Sequence, residues 1–255
     1  MKKIIKYILL DIVRNKIVLA YTGILLAISF TVFGLEDNTQ KGMLTLLNLV
    51  LFIVPLVCVI FSTIYIYNSS EFVELLLSQP IKRKSIWLSL YTGLAGALAL
   101  SFLAGVGIPL LLYDRSATGI TLLIMGMFLS IIFVAIAMLA SVGTRDKARG
   151  IGLSIMLWLY FALVFDGIVL FLLFQFADYP IEKAMVGVSA LNPVDLARIM
   201  VLLKMDVSAL MGYTGAIFKD FFGTQQGILV SMVVMAIWAT APLLLSLRKF
   251  NRKDL

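Results

Sequence analysis

The sequence predicts an all-α integral membrane protein with six transmembrane helices. Three observations carry that reading. Of 255 residues, 62% are hydrophobic and only 14% charged, with a mean hydropathy of +1.05; soluble domains average about one quarter charged. Apolar runs fall near residues 18–35, 43–67, 86–112, 119–142, 151–177 and 225–247, each close to or above the roughly 20 residues that cross a bilayer. Between the runs, Lys and Arg gather in alternate connections.

Residues 1–16 interleave Lys2, Lys3, Lys6, Arg14 and Lys16 with Ile4, Ile5, Ile8, Leu9, Ile12 and Val13. This pattern predicts a basic amphipathic helix on the membrane surface, where each cation gains about 1 kcal/mol from anionic lipid. An Ala-x-Ala-like site does not follow the first apolar run, so a cleaved signal peptide is not expected.

After the second span, Asn68-Ser-Ser-Glu-Phe-Val-Glu-Leu-Leu-Leu-Ser-Gln-Pro80 predicts a short amphipathic helix over 70–80. Ser69 or Ser70 would cap it, Glu71 and Glu74 suit its first turn, and Pro80 stops it before Lys82, Arg83 and Lys84. Phe72, Leu75 and Leu76 are expected to share one apolar stripe. The third span carries Gly93, Ala97, Ser101 and Gly105 at four-residue spacing, a smooth ridge for close helix packing. In the fifth, Asp166 sits well inside apolar sequence. An ionisable group there costs on the order of 3 kcal/mol or more unless paired, protonated or facing water, so its default reading is functional, with a packing hydrogen bond as the bland alternative.

The long interval 178–224 is the least apolar part of the chain. Inside it Asn192 is placed to cap a helix, Pro193 to open it, and Asp195 to meet its free amides and positive end. Ile199-Met-Val-Leu-Leu203, between Arg198 and Lys204, predicts a half-buried helix. Beyond Asp206 follows a small-residue patch holding Gly212, Tyr213 and Gly215, and then aromatics with charges at a membrane boundary. The reading for this interval is two interfacial helices in a long outer segment.

Fifteen of the 21 basic residues lie in the amino-terminal stretch, at 82–84, at 145–149 and after 247. The positive-inside tendency then puts both termini in the cytoplasm and 178–224 outside. The net charge of +7 is accounted for by topology, so nucleic acid is not an expected partner, whereas membrane lipid is. With no histidine and one cysteine, Cys58, the chain offers no intrachain disulfide, zinc site or His-based centre. No metal site is expected; Met185, Met200, Met205 and Met211 in the outer segment are soft donors, but they read better as packing.

Glu71-x-x-Glu-Leu-Leu-Leu-Ser-x-Pro80 followed by basic residues resembles the coupling helix between spans two and three of ABC-2-type permeases. The six spans, the basic amphipathic start and the large outer segment between spans five and six are similar to that family. The likeness is greatest to the branch of permeases serving nitrous oxide reductase maturation. It is carried by Gln79-Pro-x-x-Arg83, Arg145-Asp-x-Ala-x-Gly150, Asp166-Gly167, Tyr179-Pro180, Asn192-Pro-Val-Asp-Leu-Ala-Arg198, Leu203-x-x-Asp206 and the 209–216 patch. One departure is Asn68-Ser-Ser70, where many members have a glycine and more charge.

The resemblance implies one transmembrane domain over 1–255, in the inner membrane, working as two copies with two copies of a cytoplasmic ATPase. ATP and Mg²⁺ belong to that ATPase, because Gly-x-x-x-x-Gly-Lys-Ser/Thr is missing here; no enzymatic activity or cofactor is expected of this chain. Glu71, Phe72, Glu74, Leu75, Leu76, Pro80 and Arg83 are the expected ATPase-coupling residues. Asn192, Pro193, Asp195, Arg198, Asp206, Gly212, Tyr213 and Gly215 are expected to dock a periplasmic copper-binding protein, in service of the reductase's copper–sulfide centre. An ABC-2 exporter of lipid, drug or polysaccharide would share the spans and coupling helix but not the outer string. An intramembrane enzyme is disfavoured, because neither His-Glu-x-x-His nor Gly-x-Ser-x-Gly occurs.

Overall fold

The computed structural model describes residues 2–36, 38–144, 146–176, 187–205 and 224–252, and these are all-α. Helix α1 (Lys2–Val13) is shorter than the expected 1–16, because Asn15 turns the chain and its Oδ1 accepts the Ile17 N–H at 2.9 Å. Lys16 thereby opens the first span, α2 (Lys16–Leu35). The remaining spans are α3 (Thr39–Asn68), α5 (Arg83–Tyr113), α6 (Ala117–Gly143), α7 (Lys147–Gln175) and α9 (Gln225–Arg252). Among the described residues, short helices α4 (Ser70–Leu77), after α3, and α8 (Pro193–Leu202), before α9, lie between the spans.

Several spans begin before their apolar runs do, because a side-chain cap, not hydropathy, starts a helix. Asn38 Oδ1 accepts the Gln40 N–H at 2.8 Å, Ser116 Oγ that of Gly119 at 3.3 Å, and Asp146 Oδ1 that of Arg149 at 3.0 Å.

Helix α6 is the centre of the bundle, packed by α3, α5, α8 and α9. In its membrane window 67% of residues are buried, against 22% in α7 and in α9. The small-residue ridge of α5 does what the spacing predicts. A Cβ on Gly93 would lie 2.5 Å from Ile8 Cγ2 of α1, and one on Gly105 2.6 Å from Leu25 Cβ of α2, while Ala97 and Ser101 are buried between. Both α5 and α7 contain a π-helical turn, at Leu103–Gly107 and Tyr160–Val164. In α7 the Phe165 N–H reaches back five residues to the Tyr160 carbonyl, which widens the turn just before Asp166.

Candidate functional site

At the basic end of the bundle α4 lies across the joint between α3 and α5. Its first residue follows directly on α3: the Ser69 N–H bonds the Tyr65 carbonyl, and Ser69 supplies no side-chain cap, contrary to the sequence reading. It ends at Leu77, short of the expected residue 80, since the residue before a proline avoids helical geometry; Ser78 Oγ–H donates to the Leu75 carbonyl at 2.8 Å. The expected Phe72–Leu75–Leu76 stripe is split. Val73 and Leu76 are buried against the bundle, and the Phe72 ring meets Tyr7 of α1 at 5.8 Å. Leu75 faces outward, 60% exposed, flanked by exposed Glu71 and Glu74. Pro80 and Arg83 are exposed at the start of α5.

This end is braced from three sides. Tyr65 Oη–H donates to Asp11 Oδ2 of α1 at 2.9 Å. Lys147 Nζ donates to Asn68 Oδ1 at 2.8 Å, and the Tyr67 ring lies over Gly150, where any Cβ would collide with it. The Trp87 indole N–H donates to Ser246 Oγ at 3.1 Å while the ring stacks on Phe250 at 4.3 Å. Asp146, Lys147 and Gly150 thus bind the α6–α7 turn to the base of α4 as cap, donor and cradle.

At the opposite end α8 is set among the spans. Leu196, Ala197 and Val201 are fully buried, so the half-buried interfacial helix expected from sequence is instead a packed part of the bundle. Asn192 is wholly buried and bridges two elements: its Oδ1 accepts the Val194 N–H at 2.9 Å, and its Nδ2–H donates to the Phe161 carbonyl in the π-turn of α7 at 2.9 Å. The Trp238 indole N–H of α9 holds the Ala190 carbonyl at 3.1 Å, and its ring meets Phe161 edge-on at 5.4 Å. Thr118 Oγ1–H ties the Lys204 carbonyl to the start of α6 at 2.9 Å. Beside it a cleft of about 360 Å³ is lined by Thr39, Gln40, Tyr113, Asp114, Lys204 and Met205.

Asp166 is paired. Arg198 Nη1–H donates to Asp166 Oδ2 at 2.8 Å and to Asp195 Oδ1 at 3.0 Å, joining α7 to α8 through one guanidinium. Burial, reinforced by the nearby Asp166 carboxylate, pushes the Asp195 carboxyl up to about 7, against the opposing pull of Arg198. Two acids therefore share one cation, and burial makes Asp195 the one that holds a proton more readily than an ordinary carboxyl.

A family model described as ABC-2 family transporter protein matches residues 4–255. The chain belongs to the ABC-2 transporter family. Among its relatives is the "Probable ABC transporter permease protein NosY" of Pseudomonas aeruginosa, 27% identical over 268 residues that cover 97% of this chain and 96% of the relative. The protein of the same name from Stutzerimonas stutzeri is 26% identical over 266 residues, covering 95% of each.

In this ABC-2 permease the residues singled out from sequence divide into two separate places. Glu71, Glu74, Leu75, Pro80 and Arg83 share the exposed basic end, whereas Phe72 and Leu76 face inward. Asp166, Asn192, Pro193, Asp195 and Arg198 converge on the α7–α8 joint. There Asn192, Pro193 and Asp195 are buried and offer no contact surface; they place α8. Asp206, Gly212, Tyr213 and Gly215 lie outside the described residues, as do Met185 and Met211. Met200 and Met205 are buried in the apolar core, where they act as packing. The Asp166–Arg198 pairing was not drawn from sequence, although a lone acid in a span and a lone base on an apolar helix are complementary. The Gly150 cradle had only its motif as a signal.

Proposed function

We propose that this chain is the permease subunit of an ABC transporter complex in which two copies pair with two cytoplasmic ATPase subunits. The exposed Glu71–Glu74–Leu75 face of α4 would seat on the ATPase, with the bracing around Asn68, Lys147 and Gly150 carrying its movement into α3, α5 and α7. ATP and Mg²⁺ would be bound by the ATPase. The complex would lie in the inner membrane with both termini cytoplasmic. It would act with a periplasmic copper-handling partner in assembling the copper–sulfide centre of nitrous oxide reductase.

The observation that carries this reading is end-to-end similarity to two NosY permeases, over 97% and 95% of the chain. The test is genetic. Deleting the chain in its own host should leave nitrous oxide reductase synthesised but lacking its copper–sulfide absorption, and restoring the chain should restore it. A reductase loaded normally in the deletion strain would turn the assignment towards export of lipid, drug or polysaccharide.

A further inference from the structure

The two halves of α7 are held by different neighbours. The inner half is tied to α3: Gly150 lies under Tyr67, Ser154 Oγ meets Thr63 Oγ1 at 2.7 Å, and the Trp158 indole N–H donates to the Phe52 carbonyl at 3.2 Å. The outer half, Phe165–Gln175, buries Phe165 alone. Its Asp166 accepts from Arg198 of α8 at 2.8 Å. Between the halves, the π-turn at Tyr160–Val164 takes up one extra residue.

The π-turns of α5 and α7 have different causes. In α5, Pro109 has no N–H to offer the Gly105 carbonyl four residues back, so the wide turn at Leu103–Gly107 is built into the sequence. In α7 neither proline nor glycine lies within Tyr160-Phe-Ala-Leu-Val164, and the stretch is free of residues that break an α-helix. What holds it open comes from another element. The Asn192 amide of α8 donates to the Phe161 carbonyl at 2.9 Å, in a buried place. A π-turn that depends on a bond from outside closes when that bond is given up.

Closing it returns one residue to the α-helix, which turns the outer half by about 100° and shifts it by about 1.5 Å against the inner half. Asp166, two residues past the turn, then no longer faces Arg198. The Asn192–Phe161 and Arg198–Asp166 bonds therefore favour the same open state, and loss of one favours loss of the other.

We propose that the π-turn of α7 is a rotary joint with an open and a closed state, and that ATPase movement drives it between them. The proposal rests on the permease reading above and gives it a moving part. The inner half follows α3 and the base of α4 through Lys147–Asn68 and Gly150–Tyr67. Helix α8, which holds the turn open, carries its state to the end of the bundle opposite α4.

Pulsed EPR distances within one chain test it, in the complex with co-expressed ATPase, on a Cys58→Ala background with labelled chains diluted among unlabelled ones. Gly152→Cys and Ile168→Cys put spin labels on either side of the turn. Both positions have room for them: a Cβ at Gly152 meets nothing within 4 Å, and Ile168 is exposed. A non-hydrolysable ATP analogue with Mg²⁺ should change the separation by several ångström. Deletion of Ala162 removes the extra residue, so that α7 runs as an unbroken α-helix with both ends in place. In that chain the separation should keep its resting value with or without the analogue, and the ATPase should be retained while nitrous oxide reductase is no longer loaded. An unchanged separation in an undeleted complex that binds the analogue would overturn the joint. So would a change that persists after the deletion, or a deleted chain that loads the reductase normally. If the deleted chain does not insert, the undeleted label pair still decides. Co-purification separates the failures: retained ATPase with an unmoving label pair sinks the joint alone, whereas wild-type chain that never holds ATPase sinks the permease reading and the joint with it.

Discussion

Arg198→Gln withdraws the cation that Asp166 and Asp195 share. In the structure one Nη1 donates to both, at 2.8 Å and 3.0 Å. Charge-assisted bonds of this kind contribute about 1.5–3 kcal/mol each. They share a nitrogen and the pair is about 30% open, so the two are neither additive nor unscreened, and a net loss of roughly 2–3 kcal/mol is expected. For a chain of this size that lowers a detergent unfolding midpoint by roughly 4–12 °C. The loss should also depend on pH. Burial holds the folded Asp195 carboxyl above its unfolded value of about 4, so its proton uptake favours folding fully below about pH 4 and is lost as pH rises through the raised folded value. Without Arg198, which pulls that value down, the folded carboxyl holds its proton higher still. The gap between wild type and Arg198→Gln should therefore widen from pH 5 to pH 8, and Asp195→Asn should flatten the wild-type slope. An equal gap at both pH values would refute the argument that this guanidinium holds an ionised Asp195 in place.

Three further outcomes follow from packing. Gly93→Ala should cost about 1–3 kcal/mol by driving its methyl into Ile8, and Ile8→Ala should restore most of it; strictly additive losses in unfolding midpoint would show that α1 does not dock on the α5 ridge. Asn192→Ala leaves the Val194 N–H and Phe161 carbonyl unpaired in a buried place, at about 1–3 kcal/mol; limited proteolysis should then cut beside α8 sooner, and unchanged cutting would contradict the bridge. Gly150→Val should displace Tyr67 and reduce stimulation of ATP hydrolysis while the permease still inserts; normal stimulation would place force transmission elsewhere.

The six spans were legible because bilayer crossing constrains length and composition together, and the α5 ridge because small residues at four-residue spacing have one dominant use in a membrane. Helix ends were less legible. Asn15, Asn38 and Asp146 set them, and polar caps lie just outside the apolar signal. The α8 start was read correctly from Asn192 and Pro193, yet its burial was not: Leu196, Ala197 and Val201 face spans far away in sequence, and hydropathy does not report what a helix meets. Likewise the division of α4 into an inward Val73–Leu76 face and an outward Leu75 face depends on where α1 and α5 sit. Asp166 was flagged by the cost of its charge, but its partner lay 32 residues on, in another element.

The most direct test of the coupling role of α4 is Leu75→Asp, read by co-purification of the ATPase. Leu75 is 60% exposed and flanked by Glu71 and Glu74, so the substitution leaves the bundle intact; Leu76, which is buried, would not serve. If Leu75 anchors the interface, its loss costs about 2 kcal/mol or more, near thirtyfold in affinity. The account predicts a permease with an unchanged unfolding midpoint that no longer retains its ATPase. A Leu75→Asp permease that holds and stimulates the ATPase as the wild type does would contradict it.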